Sequence, residues 1–182
     1  MTGEAPAPVR VLLVGMMGVG KSTVGRAVAA RTGWPYVDND ELVRRATGVP
    51  TKQVLDRFGE PALRTAESQA LGFALALDPP VVAGVAAGVV EDPADRDRLR
   101  AGGHVVWLRA TLDTLVRRVG PGDDRPWLRP DPRAALERLW AGRRPLYEYV
   151  ATQVVDVDGA APADIADEIL AELARVSPPR SW

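Results

Sequence analysis

The sequence predicts an α/β protein: a five-stranded parallel sheet with helices on both faces. Three observations point there. Short apolar runs recur along the chain, they are continuous rather than alternating, and helical patterns separate them. Continuous apolar runs suit strands covered on both faces, and strand–helix alternation at this spacing favours parallel pairing. The first run, 9–14 (VRVLLV), leads into a glycine-rich turn and an amphipathic helical segment at 21–31. The second, 34–37 (WPYV), precedes helical patterns at 40–47 (DELVRRAT) and 62–77 (ALRTAESQALGFALAL). The third, 81–83 (VVA), is followed by 93–100 (PADRDRLR), and the fourth, 104–108 (HVVWL), by 112–118 and 132–140. The fifth, 153–157 (QVVDV), leads to a last helix at 162–175, where Pro162 suits the first helical position.

One segment breaks the rhythm. Residues 120–132 (GPGDDRPWLRPDP) are dense in Gly, Pro and charge, as a lid or binding loop is, although a plain linker has the same composition. The expected organisation is one domain over 1–182, with a core at 9–175, a mobile lid at 120–132 and a flexible tail at 176–182.

Composition removes several functions. The chain has 182 residues, 46% of them apolar, which is enough to bury a core. It carries 23 basic and 24 acidic side chains, so nothing draws it to a nucleic-acid backbone or an anionic membrane. No cysteine is present, which excludes disulfides, thiolate metal sites and cysteine nucleophiles. The one histidine, His104, cannot build a histidine metal site and suits a structural place at the start of the fourth strand. Apolar runs such as 81–90 are too short to span a bilayer, and MTGEAPAPVR lacks the layout of a secretory leader. A cytoplasmic monomer is expected. Trp34 and Trp107 fall in strand-like runs and are expected in the core.

The strongest motif is GMMGVGKST, Gly15 to Thr23, which fits G-x-x-x-x-G-K-[ST] between a strand and a helix. Its glycines, Gly15, Gly18 and Gly20, let the backbone curl around a phosphate, so that the N–H groups near Val19 and at the helix start can bind it. Lys21 would neutralise the β- and γ-phosphates of ATP, and the hydroxyl of Ser22 would ligate Mg²⁺.

Asp38 and Asp40 follow the second strand, two residues apart. In a parallel sheet that strand end shares a crevice with the phosphate loop. One carboxylate could hold the waters of Mg²⁺ while the other accepts the proton of an attacking hydroxyl. Asp40 is equally placed to cap the helix ELVRRATG.

Together these segments resemble the shikimate kinases, small P-loop kinases that phosphorylate a cyclic polyol carboxylate with ATP. The likeness runs from Val11 to near Leu173 and rests on GMMGVGKSTVGRAVA, DND, FGEPALRTAE, DRPWL, RRPLY and VDVDG…P, in the family's order. The resemblance implies that Asp38 supports Mg²⁺ through water, and that Asp40 binds the acceptor hydroxyls and serves as base. It implies that Arg64 and Arg143 grip the acceptor's carboxylate, with Glu67 orienting Arg64 or meeting a ring hydroxyl. Arg125 becomes the lid arginine that closes on the transferring phosphate, and Arg118 and Pro162 sandwich the adenine. Taken without the family, Arg64 and Glu67 are an ordinary i,i+3 surface pair.

The sequence departs from the family on the acceptor side. Three consecutive family glycines after the third strand align with Ala86, Ala87 and Gly88, and Leu63 replaces a phenylalanine. Ala87 and Gly88 would still form the pocket floor. Glycine is needed where φ is positive or a ligand touches the backbone, so the added methyl groups either reshape the pocket or force another loop conformation. The expected activity is phosphoryl transfer from ATP to a hydroxyl of a small carboxylate-bearing polyol, shikimate giving shikimate 3-phosphate. The alternatives are a kinase for another polyol acid or cyclitol, since DDRPWL is also similar to gluconate-type kinases, and a non-catalytic ATP-binding regulatory module.

Overall fold

The computed structural model describes residues 9–120, 128 and 130–176. Five strands form one parallel sheet: β1 (Arg10–Val14), β2 (Tyr36–Val37), β3 (Val81–Gly84), β4 (His104–Arg109) and β5 (Gln153–Asp156), in the order β2-β3-β1-β4-β5. The register runs through pairs such as Leu13↔Gly84 and Val14↔Trp107. Val11 to Val14, all of β3 and His104 to Leu108 are buried, so their continuous apolar runs reflect cover on both faces. The edge strand β5 differs: only Val155 of its four residues is buried, and Val154 is exposed.

Among the described residues seven α-helices connect these strands: α1 (Lys21–Thr32), α2 (Asn39–Thr47), α3 (Thr51–Ala76), α4 (Pro93–Gly102), α5 (Leu112–Val119), α6 (Pro132–Val150) and α7 (Pro162–Val176). A one-turn 3₁₀ helix, Val89–Glu91, follows β3. α1 packs against α7, and α4 against α6. Among the described residues no helix is long and apolar enough to cross a membrane.

Four sequence expectations change here. β2 is two residues rather than four, because only Tyr36 and Val37 pair with β3; Trp34 lies before the strand, half-buried against the core. α3 begins at Thr51, eleven residues before the expected 62. Its first part, TKQVLDRF, is too short and polar to declare itself, and Gly59 (φ 81°, ψ 179°) with Pro61 breaks it from the rest. α6 continues from the expected 140 to Val150 despite Gly142 and Pro145, because that extension buries Arg143, Tyr147 and Val150. Lastly, Asp38 and not Asp40 is the N-cap of α2: its carboxylate accepts the Asp40 N–H at 3.1 Å. The helix starts one residue early, so Asp40 sits inside its first turn.

Other expectations hold. Trp107 is core, stacked on Tyr147 with ring centroids 5.8 Å apart. His104 is buried, its Nε2 2.9 Å from Gln153 and its Nδ1 3.2 Å from Thr152, a structural place between β4 and β5. Most of the expected lid and tail, 121–127, 129 and 177–182, lies outside the described residues.

Tyr36 owes its position to two glycines. A Cβ on Gly25 of α1 would collide with the ring, and one on Gly84 would come within 2.8 Å of its hydroxyl. Alanine would raise the helix propensity at Gly25 by about 1 kcal/mol, whereas overpacking against a rigid ring costs about 1–3 kcal/mol. The expected outcome for Gly25→Ala is therefore a lower urea midpoint. In a Tyr36→Ala background the same change should raise the midpoint, and a loss in both backgrounds would show that the ring is not the obstacle.

Candidate active site

The segments after β1, β2 and β3 open over one crevice, as parallel strands with β1 in the middle require. A cavity of about 670 Å³ lies there. Gly18, Gly20, Lys21, Ser22 and Thr23 line one end, with Asp38 and Asp40 beside them; Arg64, Glu67, Ala86, Ala87, Gly88 and Arg143 line the other.

The phosphate loop depends on glycine at its first position. Gly15 has φ 141°, and a Cβ there would sit 2.5 Å from the Leu108 carbonyl oxygen. At the other end Gly20 (φ 105°) opens α1, which has no side-chain N-cap, so its first N–H groups face the cavity side. Gly15 and Val19 shape the loop from beneath, Val19 being buried. Lys21 donates through Nζ to the carbonyl oxygens of Gly15 at 2.8 Å and Met16 at 3.2 Å. Arg118, at the end of α5, borders the cavity and donates to the Val19 carbonyl at 3.0 Å. Pro162 is exposed at the start of α7 and does not line the cavity. Arg125 lies outside the described residues.

Asp38 is the most heavily bonded carboxylate of the site. Ser22 donates to its Oδ2 at 2.6 Å and Tyr36 at 2.8 Å, while Oδ1 accepts the Asp40 N–H. Burial pushes this carboxyl upward, but the hydrogen bonds from Ser22, Tyr36 and Asp40 and the nearby Arg26 charge outweigh it, and its pKa falls below the usual value. Burial drives the Tyr36 hydroxyl the other way, far above its ordinary range, so it remains a donor. Because the Ser22 proton is directed at Asp38, the lone pairs of its oxygen remain for a cation. Hydroxyl and carboxylate so paired fit Mg²⁺, which keeps several waters and needs few protein ligands.

Asp40 is exposed, and its Oδ1 accepts a 2.8 Å hydrogen bond from Thr51 Oγ1 at the start of α3. Oδ2 is the oxygen not engaged by that contact.

At the far end Arg143 is 2% exposed. Its Nε donates to Glu91 Oε1 at 3.0 Å, and its Nη1 has no hydrogen-bond partner among the described residues. A buried donor left unmatched costs about 1–3 kcal/mol, so it marks a place where an acceptor atom belongs. Arg64 holds Glu67 at 2.8 Å and Glu60 at 2.9 Å. Glu67 is 8% exposed, so this is no ordinary surface pair. Burial raises the Glu67 carboxyl above its usual pKa, against the pull of Arg64 and Arg143.

Ala86 and Ala87 do not distort their loop. Among the described residues no residue other than glycine has positive φ, and Gly88 itself has φ −87°. The alanines are simply part of the cavity wall. Gly88 serves close approach, since a Cβ there would collide with the Arg64 guanidinium. Tyr147, one helical turn beyond Arg143, donates to the Ala87 carbonyl at 2.7 Å and pins the loop.

Four side chains at this site are given no role by the sequence motifs, although Tyr147 closes the RRPLY segment. Tyr36 and Thr51 act on Asp38 and Asp40 from neighbouring elements, and Tyr147 and Glu91 meet the acceptor end across the fold. Only the glycines at 25 and 84 hint at a ring between them, and only once the strands are paired.

The family model for shikimate kinase matches residues 17–174. A shikimate kinase of Pseudomonas syringae pv. tomato is 40% identical over 169 residues, covering 92% of this chain and 98% of the relative. The structure of a shikimate kinase from Acinetobacter baumannii in complex with shikimate superimposes with a TM-score of 0.88 at 28% identity, covering 96% of this chain and 97% of that one. A gluconokinase from Sinorhizobium meliloti gives a TM-score of 0.62 at 25% identity, covering 93% and 94%.

The raised Glu67 pKa has a definite sign in stability. The folded state holds that proton more tightly than the unfolded chain, so the contribution is full below about 4.5 and is lost as pH rises through the raised value. Urea unfolding of wild type and Glu67→Gln across this range should show the wild type's relative stability falling as pH increases. A relative stability that rises instead would mean that Arg64 and Arg143 outweigh burial.

Proposed function

The chain belongs to the shikimate kinase family, and we propose that it transfers the γ-phosphoryl group of ATP to a ring hydroxyl of shikimate, giving ADP and shikimate 3-phosphate. The observation that carries this reading is a single cavity with a phosphate loop at one end and a buried, unmatched guanidinium donor at the other. A phosphate donor and a carboxylate-bearing acceptor fit those two ends, and a carboxylate makes a stronger, charge-assisted bond to Arg143 than a neutral acceptor can.

In this mechanism the N–H groups of the loop and the Lys21 ammonium hold the β- and γ-phosphates. Ser22 and Asp38 would hold Mg²⁺, which would screen the phosphate charge. Arg64 and Arg143 bind the acceptor's carboxylate, with Glu67 keeping Arg64 turned into the cavity and Ala87 and Gly88 forming the floor. Planar guanidiniums make directional contacts of a kind that lysine cannot. The acceptor hydroxyl presents its proton to Asp40 Oδ2 while Thr51 steadies Oδ1. As the hydroxyl oxygen bonds to the γ-phosphorus, the bond from that phosphorus to the β–γ bridging oxygen breaks. The proton passes to Asp40 and ADP leaves. Arg125 is assigned the charge clamp over the transferring group, and Arg118 and Pro162 the adenine, from the family likeness.

The cytoplasmic address and the monomeric state belong to the same proposal; the cysteine-free composition agrees with a reducing compartment.

Coupled measurement of ADP release should show Mg²⁺-dependent turnover with shikimate and little with gluconate. The reverse preference would overturn the acceptor assignment and leave the kinase assignment intact. Asp40→Asn should lower kcat by about 10²–10⁴-fold with nucleotide affinity unchanged. Retained turnover in that variant would reduce Asp40 to a helix residue.

A further inference from the structure

Arg64 and Arg143 line the acceptor end of the cavity, and the carboxylates packed around them, among them Glu91 on the adjoining cavity, carry more negative charge than a carboxylate receptor should. Arg64 faces three carboxylates: Glu67 at 2.8 Å through Nη1, Glu60 at 2.9 Å through Nη2, and Glu91 at 3.8 Å from Nε. Arg143 shares the last of them, with Nε 3.0 Å from Glu91 Oε1. Two cations against three anions leave a formal charge of −1 (+2 − 3), where an incoming carboxylate needs the opposite sign.

Glu91 is the member that joins both arginines, and it is also the member able to leave. Its side chain is 44% exposed at the end of the 3₁₀ turn, whereas the Glu67 side chain is 10% exposed and fixed on α3. Glu60 is more exposed still, but its ion pair is with Arg64 alone. Turning Glu91 to solvent brings the cluster to zero charge. It also opens Arg143 Nε in addition to Nη1, which is already unmatched among the described residues.

We propose that Glu91 is an internal stand-in for the acceptor's carboxylate and sets the affinity and charge selectivity of the acceptor site. It bridges Arg143 and Arg64, keeps the two guanidiniums aimed at one point, and swings out when the acceptor's carboxylate takes its place. An acceptor without a negative charge gains nothing from that exchange, so the site discriminates by charge as well as by shape. The inference rests on the acceptor reading above and adds a residue that neither the phosphate loop nor the arginine motifs contain.

Glu91→Gln tests it, because the amide oxygen can still accept from Arg143 Nε while the charge is gone; Glu91→Ala removes both. Each variant and the wild type are titrated by calorimetry with shikimate and with its uncharged methyl ester. In both variants the dissociation constant for shikimate should fall by about 3- to 10-fold, as expected for one partly screened charge. The ester should bind all three proteins alike, and KM should follow the dissociation constant while kcat stays unchanged. Unchanged or weaker shikimate binding in Glu91→Gln overturns the proposal. An equal shift for acid and ester also overturns it, since Glu91 would then only support packing. A wild type that binds ATP but neither binds nor phosphorylates shikimate overturns the acceptor reading and this inference together. That result is distinct from a wild type whose binding the variants fail to tighten.

Discussion

The site exists because the first strand of the chain is the middle strand of a parallel sheet. With β3 on one side of β1 and β4 on the other, the segments leaving β1, β2 and β3 emerge over one crevice. Residues 15–23, 38–40 and 85–91 are remote in sequence and adjacent there for that reason alone. β1 can occupy the middle because VLLV is apolar on both faces and almost wholly buried. The packing that follows leaves no tolerance at the turn. A side chain at Gly15 would strike the Leu108 carbonyl of the neighbouring strand, so the phosphate loop and the pairing of β1 with β4 impose a single geometry on each other.

The acceptor end is built on a different principle, the burial of charge. Bringing Arg143 to 2% exposure is unfavourable unless its donors are matched, and Glu91 matches one of them. The same stretch of α6 supplies Tyr147, whose buried hydroxyl ties the loop carrying Ala86 and Ala87 to the helix. Floor and arginine are thus held by residues four apart on one helix. This explains why α6 runs on through Gly142 and Pro145, which local propensity alone would treat as an ending. The burial of three side chains over two further turns outweighs the lost hydrogen bond at the proline.

Much of this was legible in the sequence, and the unread part has a common cause. The five strands, most helices, the phosphate loop and the two aspartates are local patterns that periodicity or spacing reveals, whereas the arginine pair comes only from the family resemblance. The helix from Thr51 to Phe58 was missed because eight polar-rich residues before Gly-Glu-Pro carry too little periodicity, although Thr51 then turns out to hold Asp40. The sequence offers Asp40 as a possible cap because either carboxylate satisfies the same pattern, and only the backbone start of α2 identifies Asp38 as the residue that caps. Tyr147 and Glu91 each act on a partner more than fifty residues away, and no short window of sequence contains both members of such a pair. For the two alanines the sequence leaves two outcomes open, a reshaped pocket or another loop conformation, and the absence of positive φ at either residue leaves the first, with both alanines on the cavity wall.

Charge distribution decides how such a site can attract its substrates. The chain carries a formal charge of −1, and the arginine–glutamate cluster at the acceptor end is negative as well. Both lysines of the chain, Lys21 and Lys52, border the cavity, Lys21 bonded to the Gly15 and Met16 carbonyls and Lys52 paired with Asp56 at 3.1 Å. A long-range positive field therefore cannot be what draws two anionic substrates in. Selection has to act at contact distance, through the N–H groups of the loop and the planar fork of Arg143, whose directions are already fixed, and through the compact ammonium of Lys21. At that range the division of labour between residue types follows from shape. A point charge on a flexible stem can follow a phosphate as it moves between two molecules, whereas a guanidinium held rigid by burial can recognise a carboxylate that must not move.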